Sequence, residues 1–591
     1  MVAPNSENQF DVAIIGGGPG GSTTGTLLKK YNPGLKVAIF EREQFPREHI
    51  GESQLPPIGR VLAEMGVWDK IEAANFPVKM GATYTWGKTK EPWTFGFIPE
   101  SDIEEQVRPA RFTGWRTRVA FQVERAIYDD ILLTHAQEMG CHVRQKAKVA
   151  KIHHTGDRID GIELESGEMI KARYYVDASG NAAIIRRALN VQVDAPTLLR
   201  NIAFWDYWEK PGMNRSMMHK EAIRIHIRSI GYGWVWYIVL SDDRTSVGVV
   251  MPAEHYKKLG KKPEQVYHES LALEQTVTGF LKGAKERGSL QSTNDWSYIA
   301  DRGYGENWFL CGESLGFADP ILSAGMTLTH TCGRHLAYLI MELDRGELDK
   351  KWLLEQYNDI QRRRVIQHMK FADYWYTGNG LFQDTMREMC TEIGKASGLK
   401  MDPQEAFRWL SNGGVDDEVG QVAIGGLDLA GIKQVQQRLA HLPKTEGKVK
   451  YAINGKSTFK LNLVGAEKHF IASLQNGRIV QTPALRRGNK NLVLTGGYGL
   501  VVDVLKKHSE ISEIVPALQA AIRAQGGGEN THLFYVQAIQ CLEVMVNDYW
   551  VIATEKKGKA VLTLESPEEG ELIYTASIGP PSKARNAKAA S

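Results

Sequence analysis

At 591 residues the chain is long enough for roughly three to four folding units and a large core. With 72 Lys+Arg against 69 Asp+Glu, the net charge of +3 carries no long block of one sign, which points away from nucleic acid and acidic membrane as partners. Cys141, Cys311, Cys332, Cys390 and Cys541 lie far apart with no CxxC or histidine-rich spacing, so reduced thiols are expected rather than bridges or a metal site, in keeping with a reducing cytoplasm.

The first residues are short and polar, and nowhere do eighteen apolar residues run together, so neither a secretion signal nor a membrane span is expected. An apolar run, Val12 to Ile15, then meets Gly16-Gly17-Gly18-Pro19-Gly20-Gly21, in which Gly16, Gly18 and Gly21 have GxGxxG spacing. Such a turn lets bare backbone and a helix N-terminus approach a pyrophosphate. The helix expected from Gly20 to Tyr31 leads to a second apolar run ending in Glu41, at the spacing of a ribose-binding acid. A carboxylate there accepts from ribose hydroxyls and repels a 2′-phosphate, so the motif reads as FAD or NAD rather than NADP.

Beyond Gly51-Glu52-Ser53 a helix is expected from about Ile58 to Met65, stopped by Gly66. Alternation from Phe76 to Trp86 predicts a strand in which Lys79 is the single charge. A helix from Val123 to Met139 carries Arg125, and short strands follow up to Ile170. The run Tyr174 to Gly180 reads as a strand and turn of the cofactor sheet. Residues 200–290 are rich in aromatics and strand formers, including Phe204 to Trp208 and Gly233 to Leu240, and predict an antiparallel sheet with an aromatic cover. Trp308 to Ser314 is a further strand ending in Gly plus acid. Glu313, facing a helix start, is placed to hold a ribityl chain, which favours FAD over NAD. The loop Phe317 to Gly325 precedes a helix expected over Met326 to Glu342. From 345 to 440 the pattern is helical, and 445–575 reads as α+β with strands near Phe459 to Val464 and Val561 to Leu564. Thr495 to Gly499 reads as a turn, not a second nucleotide site, and the small, basic last ten residues as disordered.

Three of these features resemble the flavin-dependent halogenases, the tryptophan halogenase superfamily, over roughly residues 8–345: GGGPGG at 16–21, Lys79 followed by Gly81-Ala82 and Trp86-Gly87, and Trp234-x-Trp236-x-Ile238, similar to the family's WxWxIP signature. Val239 stands where that signature has proline. Leu322 stands where the members acting on free tryptophan have a glutamate, so the pattern is closer to the branch acting on phenols or pyrroles, some tethered to carrier proteins.

The resemblance implies an α/β fold: an FAD-binding Rossmann-like domain of the p-hydroxybenzoate hydroxylase (GR2) type, an antiparallel substrate domain and a C-terminal extension. The expected division is 8–75, 111–195 and 293–345 for FAD binding, 76–110 and 196–292 for the substrate domain, 346–444 helical, 445–580 α+β, and 581–591 a tail. It implies FADH2 and chloride or bromide as co-reactants, a C4a-hydroperoxide that oxidises halide, and hypohalous acid delivered to Lys79 as haloamine or as a hydrogen-bonded acid. The same likeness puts Gly16, Gly18, Gly21, Glu41, Arg125 and Glu313 at the cofactor, Ser323, Ala324 and Gly325 at the halide, and Trp234, Trp236 and Ile238 in a barrier between flavin and substrate.

With one dinucleotide motif, a separate flavin reductase is the expected partner, and an aromatic small molecule the substrate. Each residue also has a plainer reading: a solvated lysine, core tryptophans, a helix-capping glutamate. The alternatives for the whole chain are a flavin-dependent aromatic monooxygenase, a reductase of isoprenoid double bonds, and a non-catalytic flavin-binding scaffold.

Overall fold

The computed structural model describes residues 8–87, 89–98, 100–294, 297–396, 451–488, 490–524, 531–565 and 575–579. They fall into two compact units. One holds the described residues from 8 to 396 together with 474–479, and the other holds 451–473 and those from 480 onward. The expected tail and the whole of 397–450, which includes the later part of the segment expected to be helical, lie outside the described residues.

In the first unit, strand Gln9–Ile15 runs parallel to Val37–Phe40 on one side and to Met169–Asp177 on the other, and the sheet extends through His142–Arg144, Trp308–Leu310 and the Val149–Thr155/Arg158–Leu164 hairpin. Helix Pro19–Tyr31 packs on it, with proline in its first turn, where a missing N–H costs nothing. Val12, Ala13 and Ile14 are fully buried, as a parallel strand covered on both faces requires. The Tyr174–Val176 run joins this sheet, as its sequence suggested.

Among the described residues the second sheet has nine strands. Along its main path these are Lys285–Glu286, Asn201–Glu209, Arg244–Pro252, Gly233–Val239, Ala222–Ile230, Val78–Thr85 and Trp93–Gly96, with Gln291–Asn294 and Ala120–Phe121 at its sides. It is antiparallel except where Val78–Thr85 runs parallel to Ala222–Ile230. That pair joins distant stretches of chain, so no hairpin dictates its direction. Alternation gives the sheet two faces. Val235, Tyr237, Val239, Val247, Val249 and Met251 pack against Val266, Tyr267 and Leu271 of helix Pro263–Ala272, each such side chain contributing about 2 kcal/mol. Trp234, Trp236 and Ile238 point the other way. The same alternation corrects the expectation of one aromatic cover from Phe204 to Trp208: Phe204 belongs to the helix-side core with Trp208 packed against it, while Trp205 faces the Trp236 side.

Helix Gly325–Arg345 starts one residue before its expected position and ends at Gly346, whose φ of +68° suits glycine. Helices Lys350–Thr377 and Asp384–Ala396 follow. In the second unit, helices Gly496–Leu505, Ile511–Ala524 and Thr531–Asn547 pack together, and strands Thr458–Leu461 and Val561–Glu565 pair with Val551–Thr554 and Thr575–Gly579. The Thr495-to-Gly499 run is the cap and first turn of a helix. No helix among the described residues is long and apolar enough to cross a membrane.

Candidate functional site

A cavity of about 1240 Å³ opens where the first strand ends. Gly16 has φ +105°, and a Cβ there would lie 2.3 Å from the Ala178 carbonyl oxygen, so only glycine allows the strand to turn. Gly18 lines the cavity, and a Cβ on it would meet nothing closer than the Arg47 guanidinium at 3.4 Å, which leaves its backbone open to a ligand. Gly21 does not line the cavity. A Cβ there would lie 1.9 Å from the Gly16 oxygen, so it serves the close packing of turn on helix. Glu41 lines the cavity, buried, and its two oxygens accept the N–H groups of Gly17 at 2.7 Å and Glu43 at 2.9 Å. Each oxygen keeps acceptor capacity for a hydroxyl. This bare turn, helix start and anchored acid fit the pyrophosphate and ribose of an adenine dinucleotide.

Arg125 and Glu313 line the same space. Arg125 is held bidentate by Asp129 at 2.8 and 2.9 Å and donates to the carbonyls of Ile50 and Gly51, fixing that loop as part of the wall. Burial pushes the Glu313 carboxyl up, and the Arg125 charge opposes it. The Ala178–Asn181 stretch of the wall is ordered by Asp177, which accepts from Ser179 and from the N–H groups of Ile185 and Arg186. An acid at the end of a central strand was its sequence signal.

The far wall is tryptophan. Trp234, Trp236 and Ile238 line the cavity with Trp205, Ile225 and Ile227. The Trp234 and Trp236 ring centroids are 5.9 Å apart, and those of Trp236 and Trp205 are 6.4 Å apart. Trp236 Nε1 donates to Ser246 Oγ at 3.1 Å and Trp234 Nε1 to the Tyr376 hydroxyl at 2.7 Å, so both indoles are fixed without polar debt. Val239, at the signature's proline position, simply continues the strand opposite Thr245.

At another part of the cavity wall, which includes Pro320, Asp319 caps the Pro320–Leu322 turn by accepting the Ile321 N–H at 3.0 Å. Ser323 follows at φ +56°, and Gly325 opens the long helix. Ser323 and Gly325 line the cavity, whereas Ala324 is buried behind them. The unsatisfied N–H groups of that helix start favour an anion.

Lys79 lies apart from this cavity. It is only 2% exposed, paired in register with Ile223, two residues before the cavity-lining Ile225, and its ammonium sits 5.7 Å from the Phe97 ring centroid. One strand, Ala222–Ile230, separates its strand from the tryptophans. No carboxylate among the described residues pairs with it, and burial alone brings its amine down to about 7.

Glu52, which sequence reasoning passed over as a lead-in to a helix, lines the cavity with one carboxylate oxygen lacking a hydrogen-bond partner among the described residues. Burial pushes it up to about 7, against the pull of Ser246, Tyr207 and Arg244. A polar Gly-Glu-Ser run just before two prolines was the only hint. No cluster among the described residues has the ligands for a metal ion.

A family model described as tryptophan halogenase matches residues 11–115 and 100–395. A 1H-pyrrole-2-carbonyl-[peptidyl-carrier protein] chlorinase of Pseudomonas fluorescens is 31% identical over 64% of this chain and 86% of its own length, and a tryptophan 2-halogenase of Chondromyces crocatus is 29% identical over 72% and 80%. Among solved structures, the myxobacterial chondrochloren halogenase CndH matches with a TM-score of 0.56 at 27% identity over 74% of this chain and 99% of its own. The flavin-dependent halogenase CmlS shares the fold over 96% of this chain and 98% of its own, with a TM-score of 0.69 at 23% identity. With its nucleotide turn, tryptophan wall and family match together, the chain belongs to the tryptophan halogenase family and is an enzyme of the flavin-dependent halogenase class, working with FADH2 and halide.

Proposed function

We propose that this enzyme places chlorine or bromine on an electron-rich aromatic ring, a phenol or pyrrole, free or carried on a protein, and that Lys79 receives the oxidised halogen. The observation that carries this reading is the Lys79 amine, buried in apolar surroundings without a carboxylate. Reduced flavin and O2 supply the oxidising power, which no side chain can generate. The Gly16 and Gly18 turn would hold the pyrophosphate, with Gly21 keeping it closed, and Glu41 would hold the ribose. Arg125 and Glu313 would flank the ribityl side of the cavity. Ser323, Ala324 and Gly325 would bind halide, Ala324 through its backbone only.

Trp234, Trp236 and Ile238 would keep the ring to be halogenated away from the cofactor, so that the halogen reaches it only by way of Lys79. A neutral amine attacks the halogen of hypohalous acid, breaking its O–X bond and releasing water, and an ammonium polarises the same acid through a hydrogen bond; an amine brought to about 7 populates both forms at neutral pH. The phenol or pyrrole class is supported by Leu322 at the position of the tryptophan-acting members' glutamate and by the pyrrole-carrier chlorinase among the relatives. We assign segments 8–75, 111–195 and 293–345 to the cofactor half, apart from Ala120–Phe121 and Thr293–Asn294, which pair in the second sheet, and a separate reductase as the source of FADH2.

The test is a product mass spectrum over free and carrier-bound phenols and pyrroles with reductase, NADH, FAD, O2 and chloride or bromide. Halogenated product that disappears in Lys79→Ala, with FAD still bound, is the expected result. Undiminished halogenation by that variant defeats the assignment of Lys79. A gain of oxygen that ignores halide turns the reading into that of a monooxygenase.

A further inference from the structure

The Tyr376 hydroxyl, fully buried on the last turn of helix Lys350–Thr377, is a meeting point for three other elements. Trp234 Nε1 of the cavity wall donates to it at 2.7 Å, it donates to Asp319 Oδ1 at 3.0 Å, and the Asn201 amide donates to it at 3.3 Å and to Asp319 Oδ2 at 3.1 Å. A phenol offers one proton and two lone pairs, and here all three are used. Asp319 Oδ1 also accepts the Ile321 N–H, so the carboxylate that Tyr376 holds is the one that shapes the turn into Ser323. Tyr84, on the same strand as Lys79, donates to the Ile321 carbonyl at 3.2 Å and fastens that turn from a second side.

We propose that Tyr376 is a positioning residue that clamps the Trp234 indole to the 319–325 turn, and so fixes how the tryptophan wall faces the helix start at Gly325. It touches no reacting group. Tyr376 is absent from the cavity lining, which includes Trp234, Pro320, Ser323 and Gly325. Its hydroxyl is the shared link through which the indole of one sheet and the turn of the other half keep one geometry. The consequence for halide rests on reading 323–325 as the halide turn; the clamp itself does not.

The experiment is Tyr376→Phe in the full-length, FAD-loaded protein, a change that removes one oxygen and keeps the ring. Amide exchange in the 319–326 segment is expected to quicken at least tenfold, with the 9–31 segment unchanged. Titration with sodium bromide, against sodium gluconate at equal ionic strength and followed by flavin absorbance, is expected to give about tenfold weaker binding. In turnover the bromide KM rises by a similar factor while kcat at saturating bromide stays within twofold, and more hydrogen peroxide escapes per O2 consumed. Unchanged exchange in a folded variant overturns the clamp, whether or not the parent halogenates.

Faster exchange with unchanged bromide binding, in a parent that halogenates, overturns its role at the halide turn. A parent that never responds to halide instead defeats the proposed function, and exchange alone then decides the clamp. If Tyr376→Phe does not fold, Trp234→Phe removes the donor on the other side of the same link. It is expected to quicken exchange in the same segment, and an unchanged rate there overturns the clamp equally.

Discussion

Lys79 is held in the fold at a cost. Moving its amine from an ordinary 10.5 to about 7 by burial alone corresponds to at most about 5 kcal/mol of lost stability. The sign follows from which state binds the proton: between pH 7 and 10.5 the unfolded chain holds it and the folded chain releases it, so stability rises with pH across that window. Below 7 the full penalty stands, and above 10.5 it is gone. Lys79→Met keeps the length of the side chain and removes the charge. It is therefore expected to melt several degrees higher than the parent at pH 6 to 7, the gap closing toward pH 10, as scanning calorimetry in matched buffers reads directly. A gap that does not change with pH would mean that Lys79 is solvated in the native state and carries no such penalty. A structural lysine is seldom kept on these terms, which is why its burial supports the assigned role.

At the scale of elements, the tryptophan wall depends on register. Trp236 lies opposite Gly248, and a Cβ on Gly248 would come 2.2 Å from the indole, so the neighbouring strand makes room by having no side chain there. Gly248→Val is expected to tip the indole off Ser246 and open the wall, lowering halogenated product per O2 several-fold and raising hydrogen peroxide, with FAD retained. An unaltered product-to-peroxide ratio would argue that the wall does not control coupling. The alternation that aims Trp234, Trp236 and Ile238 one way and Val235, Tyr237 and Val239 the other was legible in the sequence, because a strand's period of two needs only local information. The glycine turn and its acid were legible for the same reason.

Other parts of the site depend on contacts between distant segments, and there the sequence was mute. Tyr376 belongs to a helix that reads as a generic extension after residue 345, and only its packing onto Trp86 and Tyr84's strand brings the hydroxyl to Asp319. Glu52 looks like an exposed loop acid until Ser246 and Tyr207 close over it. The four aromatics between Phe204 and Trp208 suggested one surface, yet the pleat divides them between two. Ala324 sits between two cavity residues in sequence and behind them in space.

On the scale of the whole molecule, the question is where electrons enter. Among the described residues one strand–turn–helix has the geometry for a dinucleotide: the Gly16 turn, with its acid Glu41 buried and already anchored to the Gly17 amide. The glycine-containing run at 495–499, in the second unit, is spent as the first turn of a helix over Gly496–Leu505. If the Gly16 turn holds FAD, no second such turn for a nicotinamide cofactor stands among the described residues, which supports the proposal that FADH2 is supplied by a separate reductase. Anaerobic mixing of the FAD-loaded enzyme with NADH or NADPH is therefore expected to leave the 450 nm flavin band unchanged over the time of many turnovers. FADH2 made by an unrelated reductase, or by light and a sacrificial donor, is expected to support product formation equally once its supply rate is matched. Both outcomes follow from FADH2 arriving as a diffusible substrate, for which the reductase's surface is irrelevant. Bleaching of the bound flavin by NADH alone would place a nicotinamide site on this chain. A requirement for one particular reductase would place a docking surface there instead.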